Sequence, residues 1–364
     1  MSDVTRKAEL SLAARLRAGF ESAGAEVIEP PILQPAEALL DLYGEDIRAR
    51  AYVTSDALRG EQMLRPDFTV PVVQMHMQGG AEPARYTYSG TVFRRQEHDE
   101  ERANEYVQVG YELFARDDPA AADAEVFTRI GEALSDLPVR AATGDMGILT
   151  AAVSSLTTSA ARKAALMRHI WRPRRFRALL DRYARRTPPP EARVALLAAA
   201  DPFREAGPLI GKRSRAEIAL RIEALRADAA LPPIAEHELD ALETLLSVRE
   251  TAPHALQHLR DIAVDLPGLV PALDRLSARL EALAARGVDV DALDFEASFG
   301  RMTMEYYDGF VFGFHADTRP GWPAVASGGR YDALTRRLGR GRAIPAVGGV
   351  LRPGLMLELG GGAS

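Results

Sequence analysis

The polar chemistry of this 364-residue chain is concentrated in three short segments. Arg65-Pro66-Asp67-Phe68-Thr69 offers a carboxylate at Asp67 and a hydroxyl at Thr69. Phe93-Arg94-Arg95-Gln96, followed by the run Tyr106 to Phe114, offers the Arg94 guanidinium, the Gln108 amide and the Glu112 carboxylate. Glu305-Tyr306-Tyr307-Asp308-Gly309 adds the phenols of Tyr306 and Tyr307. Side chains of these types hold small polar ligands through ion pairs and hydrogen bonds. Other chemistries are closed off. The chain has no cysteine, which excludes thiolate nucleophiles, disulfides and thiolate metal sites. Its seven histidines contain no His-Glu-x-x-His pattern, so no metal site is expected.

Each segment alone also has a plainer account. All three read as strand-borne. Side chains alternate along a strand, so Tyr106, Gln108, Gly110 and Glu112 share one face, and Val107, Val109, Tyr111 and Leu113 share the other. The first face is polar, and Gly110 lets another group approach closely. A solvated outer face accounts for Gln108 and Glu112 equally well. Arg65-Pro66-Asp67 can simply open a helix, with Asp67 favouring its N-terminus. Tyr306-Tyr307 can be core, and Gly328-Gly329-Arg330 a turn.

The elements that must carry these groups follow from periodicity. Leu10, Leu12, Leu16 and Phe20 mark a helix from about Lys7 to Ala23, with Gly24 as its C-cap. Short extended segments follow at Glu26-Val27-Ile28, Tyr52-Val53-Thr54 and Met63-Leu64-Arg65-Pro66. A helix over 68–77 has a proline near its start. Arg85 to Ser89 and Tyr106 to Phe114 read as strands joined by a polar loop over 96–104, and a helix spans 120–134. From about Ser155 to Ala285 the sequence is rich in Ala, Leu, Arg and Glu at helical period, broken by Thr187-Pro188-Pro189-Pro190 and Leu231-Pro232-Pro233. Its arginines at 162, 172, 174, 175, 177, 182, 185 and 186 form either a solvated helix face or a surface for an acidic partner or a phosphate-bearing ligand. Strands return at Leu293 to Phe299 and Tyr306 to Phe314, then a helix at 334–338.

A 47% hydrophobic, 26% charged chain is of globular composition. A net charge of −6 argues against gripping long nucleic acid, which calls for a basic footprint. The N-terminus lacks a signal-peptide core, and no run of about 18 apolar residues is present to span a membrane. A cytoplasmic location is expected.

Taken together, the three segments resemble the class II aminoacyl-tRNA synthetase core, and that of histidyl-tRNA synthetase most closely. Arg65-Pro66-Asp67-Phe68-Thr69 is similar to that family's Arg-Pro-Glu-Gly-Thr. Phe93-Arg94 with Gln108-x-Gly110-x-Glu112 resembles motif 2. Tyr306-Tyr307 resembles the end of its Arg-Gly-Leu-Asp-Tyr-Tyr signature. Gly328-Gly329-Arg330-Tyr331-Asp332 and Pro345-Ala346-Val347-Gly348 resemble motif 3, and Leu16 to Pro31 fits motif 1, the dimer-forming segment. The resemblance implies an α+β fold: a mostly antiparallel sheet flanked by helices, with a helical insertion. It divides the chain into core (1–154), insertion (155–290), core again (291–357) and a flexible tail (358–364).

It also implies a pocket for L-histidine. Asp67, Thr69 and Gln108 would hold the ammonium, Arg94 the carboxylate, and Glu112 and Tyr307 the imidazole, with Tyr306 beside them. Several activating groups of the family are replaced. Aligned on Tyr306-Tyr307, Met302 stands where the signature has its arginine, and adjacent Arg301 falls on the opposite face of an extended strand. Aligned on Pro345 to Gly348, Leu355 stands where motif 3 has its ATP-binding arginine, and Gly-Leu-Glu-Arg reads Arg352-Pro353-Gly354-Leu355. The motif 2 Phe-Arg-x-Glu reads Phe93-Arg94-Arg95-Gln96, and its loop is acidic at Glu97, Asp99, Glu100 and Glu101. One lost transition-state donor can cost about 100–1,000-fold in rate. With the sequence ending just after the motif 3 region, no anticodon-binding domain is expected. The pattern is similar to the regulatory-subunit family of ATP phosphoribosyltransferase. That likeness implies no catalytic residue and no cofactor. It implies L-histidine as feedback effector, a separate short-form phosphoribosyltransferase as activated partner, self-association through the motif 1 interface, and no tRNA or membrane. The alternatives are an enzyme that activates histidine or another amino acid, a histidyl-tRNA synthetase-like protein, and a synthetase-like module that senses uncharged tRNA.

Overall fold

A computed structural model of the chain describes residues 3–36, 49–96, 102–204, 206–208, 210–301 and 306–360. The main sheet is built from β1 (Glu26–Val27), β5 (Ala84–Phe93), β6 (Glu105–Phe114), β7 (Val139–Asp145), β8 (Arg249–Thr251), β9 (Asp294–Glu296), β10 (Phe310–Ala316), β11 (Ala326–Arg330) and β12 (Ala346–Leu351). Among the described residues their order is β1-β5-β6-β12-β11-β10-β7-β9-β8. β1 runs parallel to β5 and β7 parallel to β9, and the other neighbours are antiparallel. A small antiparallel sheet of β2 (Leu33–Pro35), β4 (Gly60–Leu64) and β3 (Val53–Asp56) sits apart. The expected α+β class with a mostly antiparallel sheet is observed.

The back of the sheet carries the apolar alternation. Val107, Val109, Tyr111 and Leu113 are all buried there. They face helix α1 (Asp3–Ser22), whose Phe20 ring lies 5.3 Å from Tyr111. α1 ends where expected. Gly24 takes φ +95° and the Ala25 amide returns to Phe20 O (3.1 Å), a glycine-capped helix end. The front of the sheet meets helix α2 (Thr69–Met77). Helix α3 (Pro119–Glu132) lies across the back, started by the Asp118 carboxylate accepting from Ala121 N (2.9 Å) and by Pro119 in its first turn. Its Phe127 packs on Phe310, Phe312 and Phe314 of β10.

α4 (Met146–Ser155) leads into a run of helices. There α5 (Ala160–Arg168), α6 (Pro173–Tyr183), α7 (Glu191–Ala198), α8 (Arg215–Ala230) and α9 (Glu236–Ser247) precede α10 (Ala252–Ile262) and α11 (Val270–Ala285). The later part of this segment is tied to the core. β8 is hydrogen-bonded to β9, and Arg279 of α11 reaches Asp123 of α3 (2.8 Å) and Asp145 of β7 (2.8 Å). α12 (Asp332–Leu338) and α13 (Pro353–Gly360) complete the chain, with α13 packed near α1.

Three expectations are corrected. The strand expected over 306–314 starts only at Phe310, because Tyr306 to Gly309 form a turn. There the Asp308 carboxylate accepts from Asp332 N (2.9 Å) and Ala333 N (2.7 Å), which draws the chain out of the ladder. The strand expected over 293–299 shortens to 294–296, since Phe299 N turns back to Glu296 O (2.9 Å). The arginine-rich stretch is neither a freely solvated face nor a bare basic patch. Arg162 and Arg182 pair with Asp228 (2.6 and 3.2 Å), and Arg177 and Arg186 pair with Glu243 (3.2 and 2.5 Å). Acids of α8 and α9 therefore neutralise much of it.

Candidate functional site

The front face of the sheet is floored by glycine. Glu112 on β6 is register-paired with Gly348 on β12, which pairs with Gly329 on β11. Paired residues on neighbouring strands face the same side. A Cβ at Gly348 would collide with the Glu112 carboxyl, one at Gly110 with the Tyr88 ring, and one at Gly329 would come 2.8 Å from the Tyr307 ring. The missing side chains are what let Glu112, Tyr88 and Tyr307 lie across the strands. Gly349, one residue on, points to the back, where a Cβ would meet Ile130 of α3.

On this floor Glu112 is the hub. It is fully buried and accepts three neutral donors: Thr69 Oγ1 (2.9 Å) and Tyr88 OH (2.9 Å) at Oε1, and Tyr331 OH (2.6 Å) at Oε2. Burial pushes its pKa up, the three hydroxyls pull it partly back, and the nearby Asp67 charge raises it again, to about 7. Gln108, two residues earlier on the same face, is 1% exposed, and its Oε1 has no hydrogen-bond partner among the described residues. The solvated-face account of Gln108 and Glu112 is thereby overturned.

Asp67 and Thr69 stand at the start of α2, and Arg94 lies just past the end of β5, so of the site residues only Gln108 and Glu112 lie within a strand. The expectation that all three segments are strand-borne is corrected on that point. β4 ends at Leu64, and Arg65 turns to donate to Pro30 O (2.6 Å) and Thr91 O (2.9 Å), which carries Asp67 inward. Asp67 Oδ2 accepts from Tyr306 OH (3.1 Å) and lies 4.0 Å from Arg94 Nη2. Arg94 Nε donates to Pro66 O (2.6 Å). The rings of Tyr306 and Tyr307 meet edge-on with centroids 4.9 Å apart. All seven residues singled out by sequence thus gather at one end of the front face.

Sequence reasoning missed three members. Tyr88 and Tyr331 hold the hub carboxylate; Tyr88 was signalled only by the alternation of its strand, and Tyr331 by the Gly-Gly-Arg-Tyr-Asp run. Arg352, just after β12, donates to Ala324 O (2.7 Å) and Ser327 Oγ (3.0 Å), and its guanidinium lies near those of Arg94 and near Tyr307. Sequence reasoning also overlooked a histidine pair at metal-ligand spacing. His254 and His258 lie four apart on α10, but His254 Nδ1 meets Thr251 Oγ1 (2.9 Å) and His258 Nδ1 meets Glu250 (3.0 Å). Among the described residues no group of three or more His, Asp or Glu side chains is placed to hold a metal.

The replaced positions are partly visible. Leu355 sits in α13, packed against the core. Gln96 turns to its own loop, its backbone N–H donating to Asn104 Oδ1 (2.9 Å) and its side-chain Nε2 to Ala103 O (3.3 Å). Arg301 turns away from the site, donating to Ile170 O (2.8 Å) and lying 4.8 Å over the Phe176 ring, where burial lowers its pKa to about 10. Met302 and the acidic residues Glu97, Asp99, Glu100 and Glu101 lie outside the described residues. Among the described residues no helix is long and apolar enough to cross a membrane.

This geometry meets independent likenesses. The histidyl-tRNA synthetase family model matches residues 4–353. The ATP phosphoribosyltransferase regulatory subunits of Brucella anthropi and Brucella ovis are each 32% identical to the chain, over 92% of it and 93% of their own length. A solved ATP phosphoribosyltransferase regulatory subunit/histidyl-tRNA synthetase from Bacillus halodurans superposes with a TM-score of 0.70 at 20% identity, covering 97% of this chain and 79% of that one. A histidine–tRNA ligase subunit from Alicyclobacillus acidocaldarius gives 0.60 at 24%, covering 98% and 94%. At those identities the structural likeness establishes the fold, a class II synthetase-like core.

Proposed function

The chain belongs to the ATP phosphoribosyltransferase regulatory subunits, a family on the histidyl-tRNA synthetase fold, and on that premise we propose that it binds free L-histidine and conveys feedback control to a separate catalytic subunit. In this reading it activates a short-form phosphoribosyltransferase of histidine biosynthesis and performs no aminoacylation itself. The observation that carries it is the buried acceptor set of the front face: Gln108 Oε1 without a partner beside the enclosed Glu112 carboxylate. Unsatisfied buried acceptors are costly, and a ligand that fills them repays the cost.

Each end of histidine has a chemically matched group. Asp67, Thr69 and Gln108 receive the ammonium, Arg94 the carboxylate, and Glu112, Tyr307 and Tyr306 surround the imidazole. Glu112 accepts an imidazole N–H with a carboxylate already oriented by Thr69 and Tyr88 at Oε1 and by Tyr331 at Oε2. Such a set rejects analogues that leave one member unpaired. Self-association through α1 and the segment after it, an insertion over 155–290 and a cytoplasmic location belong to the same reading.

The test is reconstitution with a short-form catalytic subunit. The two proteins should co-purify, the complex should be more active than the catalytic subunit alone, and L-histidine should inhibit it. Absence of a complex, or of inhibition by histidine, would remove the regulatory reading. The alternative, a histidine-activating enzyme, is opposed by the apolar Leu355 in α13. Robust histidine-dependent ATP–pyrophosphate exchange by the purified chain would establish it instead.

A further inference from the structure

Arg352 has an unusual environment for an enclosed guanidinium. Among the described residues five arginines are buried: Arg65, Arg162, Arg279, Arg301 and Arg330. Three are neutralised by carboxylates, Arg162 by Asp228, Arg279 by Asp123 and Asp145, and Arg330 by Asp123. The other two lie over aromatic rings, Arg65 on Phe68 (4.0 Å) and Arg301 on Phe176 (4.8 Å). Arg352 is surrounded by protein yet keeps some solvent contact, as a group lining a cleft does. Among the described residues it has neither a carboxylate within ion-pair distance nor an aromatic face.

Its orientation follows from the strand. Gly348 faces the front and Gly349 the back, so alternation returns the chain to the front at Val350 and again at Arg352. Ser327, which accepts from Nη2, is register-paired with Val350 and therefore also faces the front. The guanidinium also has the Tyr106 phenol within hydrogen-bond reach, with the Tyr307 phenol and the like charge of Arg94 nearby. Tyr106 lies two residues before Gln108 on the front of β6. The site thus brings the Arg352 guanidinium near that of Arg94, which itself lies 4.0 Å from Asp67, on the same face as the partnerless acceptor of Gln108.

We propose that Arg352 is a specificity-determining residue of this site, closing with Arg94 on the carboxylate of a free α-amino acid. The proposal rests on the amino-acid-pocket reading above and deepens it. A carboxylate between the two arginines would relieve their mutual repulsion and provide the counter-charge that Arg352 lacks, through charge-assisted bonds. The ligand's ammonium would then fall toward Gln108 and Asp67. Arg352 also stands where the resembled synthetase motif has the glycine of Gly-Leu-Glu-Arg. A side chain has been added where that motif keeps the backbone bare. The site therefore carries its own cation for an unmodified carboxylate.

The experiment is calorimetric titration of the full chain with L-histidine and with L-histidinol, which lacks the carboxylate. Wild type should prefer histidine by about 100-fold, as two charge-assisted contacts imply. Arg352→Gln should shrink that preference to about tenfold or less while leaving histidinol affinity within about threefold. Arg352→Lys keeps a charge but not the fork and should fall between; it serves as the variant if Arg352→Gln does not fold. An undiminished preference in the variant overturns the proposal and leaves the pocket standing. No histidine binding by wild type overturns the pocket reading, and the proposal with it. ATP is titrated as the other oxyanion source. ATP binding that Arg352→Gln abolishes, with histidine preference intact, would assign the arginine to phosphate and also overturn the proposal.

Discussion

The two faces of the central sheet bury charge in opposite ways. On the back, Asp123 receives Arg279 and Arg330, Asp145 receives Arg279, and Arg330 also reaches Asp332. Acids and guanidiniums alternate there, and Arg279 stays firmly charged: burial works against it, but the two carboxylates outweigh that cost. On the front, among the described residues, Glu112 has only hydroxyl donors, Gln108 Oε1 has no donor and Arg352 has no acid, while Asp67 lies 4.0 Å from Arg94. A balanced buried network closes on itself and holds helices to a sheet. An unbalanced one is complete only with something added. The contrast separates scaffold from site without reference to any relative.

That contrast can be broken in three places, in decreasing order of effect. Arg279→Leu leaves Asp123 and Asp145 without their shared cation and should cost about 3–5 kcal/mol in chemical denaturation, as breaking a buried ion pair does. Histidine affinity of the molecules still folded should barely change. If the loss is below about 1 kcal/mol, the back network is not what fastens α11 to the core. Glu112→Gln keeps the shape of the hub but not its charge. It should cost little stability yet weaken histidine binding about 10–100-fold by calorimetry, the range for a charge-assisted hydrogen bond.

The same variant tests the titration. The unfolded chain loses the Glu112 proton near its ordinary value of 4.5, whereas the folded protein holds it to about 7. The native state thus binds more protons across that window. Its contribution to stability is full below about 4.5, falls as pH rises, and levels off above about 7. Glu112→Gln should flatten that part of the stability–pH profile, and an unaltered slope would assign it to other groups. The smallest effect is expected from Tyr331→Phe, which removes the 2.6 Å donor to Oε2. It should cost about 1 kcal/mol and push the Glu112 titration still higher, read from the same profile. A downward shift would mean the phenol does not support the carboxylate.

Much of the fold was legible because its signals are local. The alternation from Tyr106 to Phe114 sorted the two faces of β6 correctly, and Gly24 marked the end of α1. The site residues were legible as a set only through their resemblance to a family pattern, since each alone had a plainer account. What escaped depended on partners remote in sequence. Tyr331 and Glu112 are 219 residues apart, and no local periodicity pairs them. The turn at Tyr306 to Gly309 was read as strand because its apolar and aromatic residues suit one, while the amides of Asp332 and Ala333 that bend it lie across the sheet. Whether an arginine is paired, stacked or open likewise depends on the tertiary neighbours of Arg352, not on its own stretch of chain.

The glycine floor has a consequence for anyone diversifying this pocket. Positions 110, 348 and 329 admit no side chain without displacing Tyr88, Glu112 or Tyr307. A mutant library that varies those three columns would return mostly broken proteins. Altered ligand preference has to be sought instead in Arg94, Gln108 and Arg352, the side chains that the proposed ligand would meet.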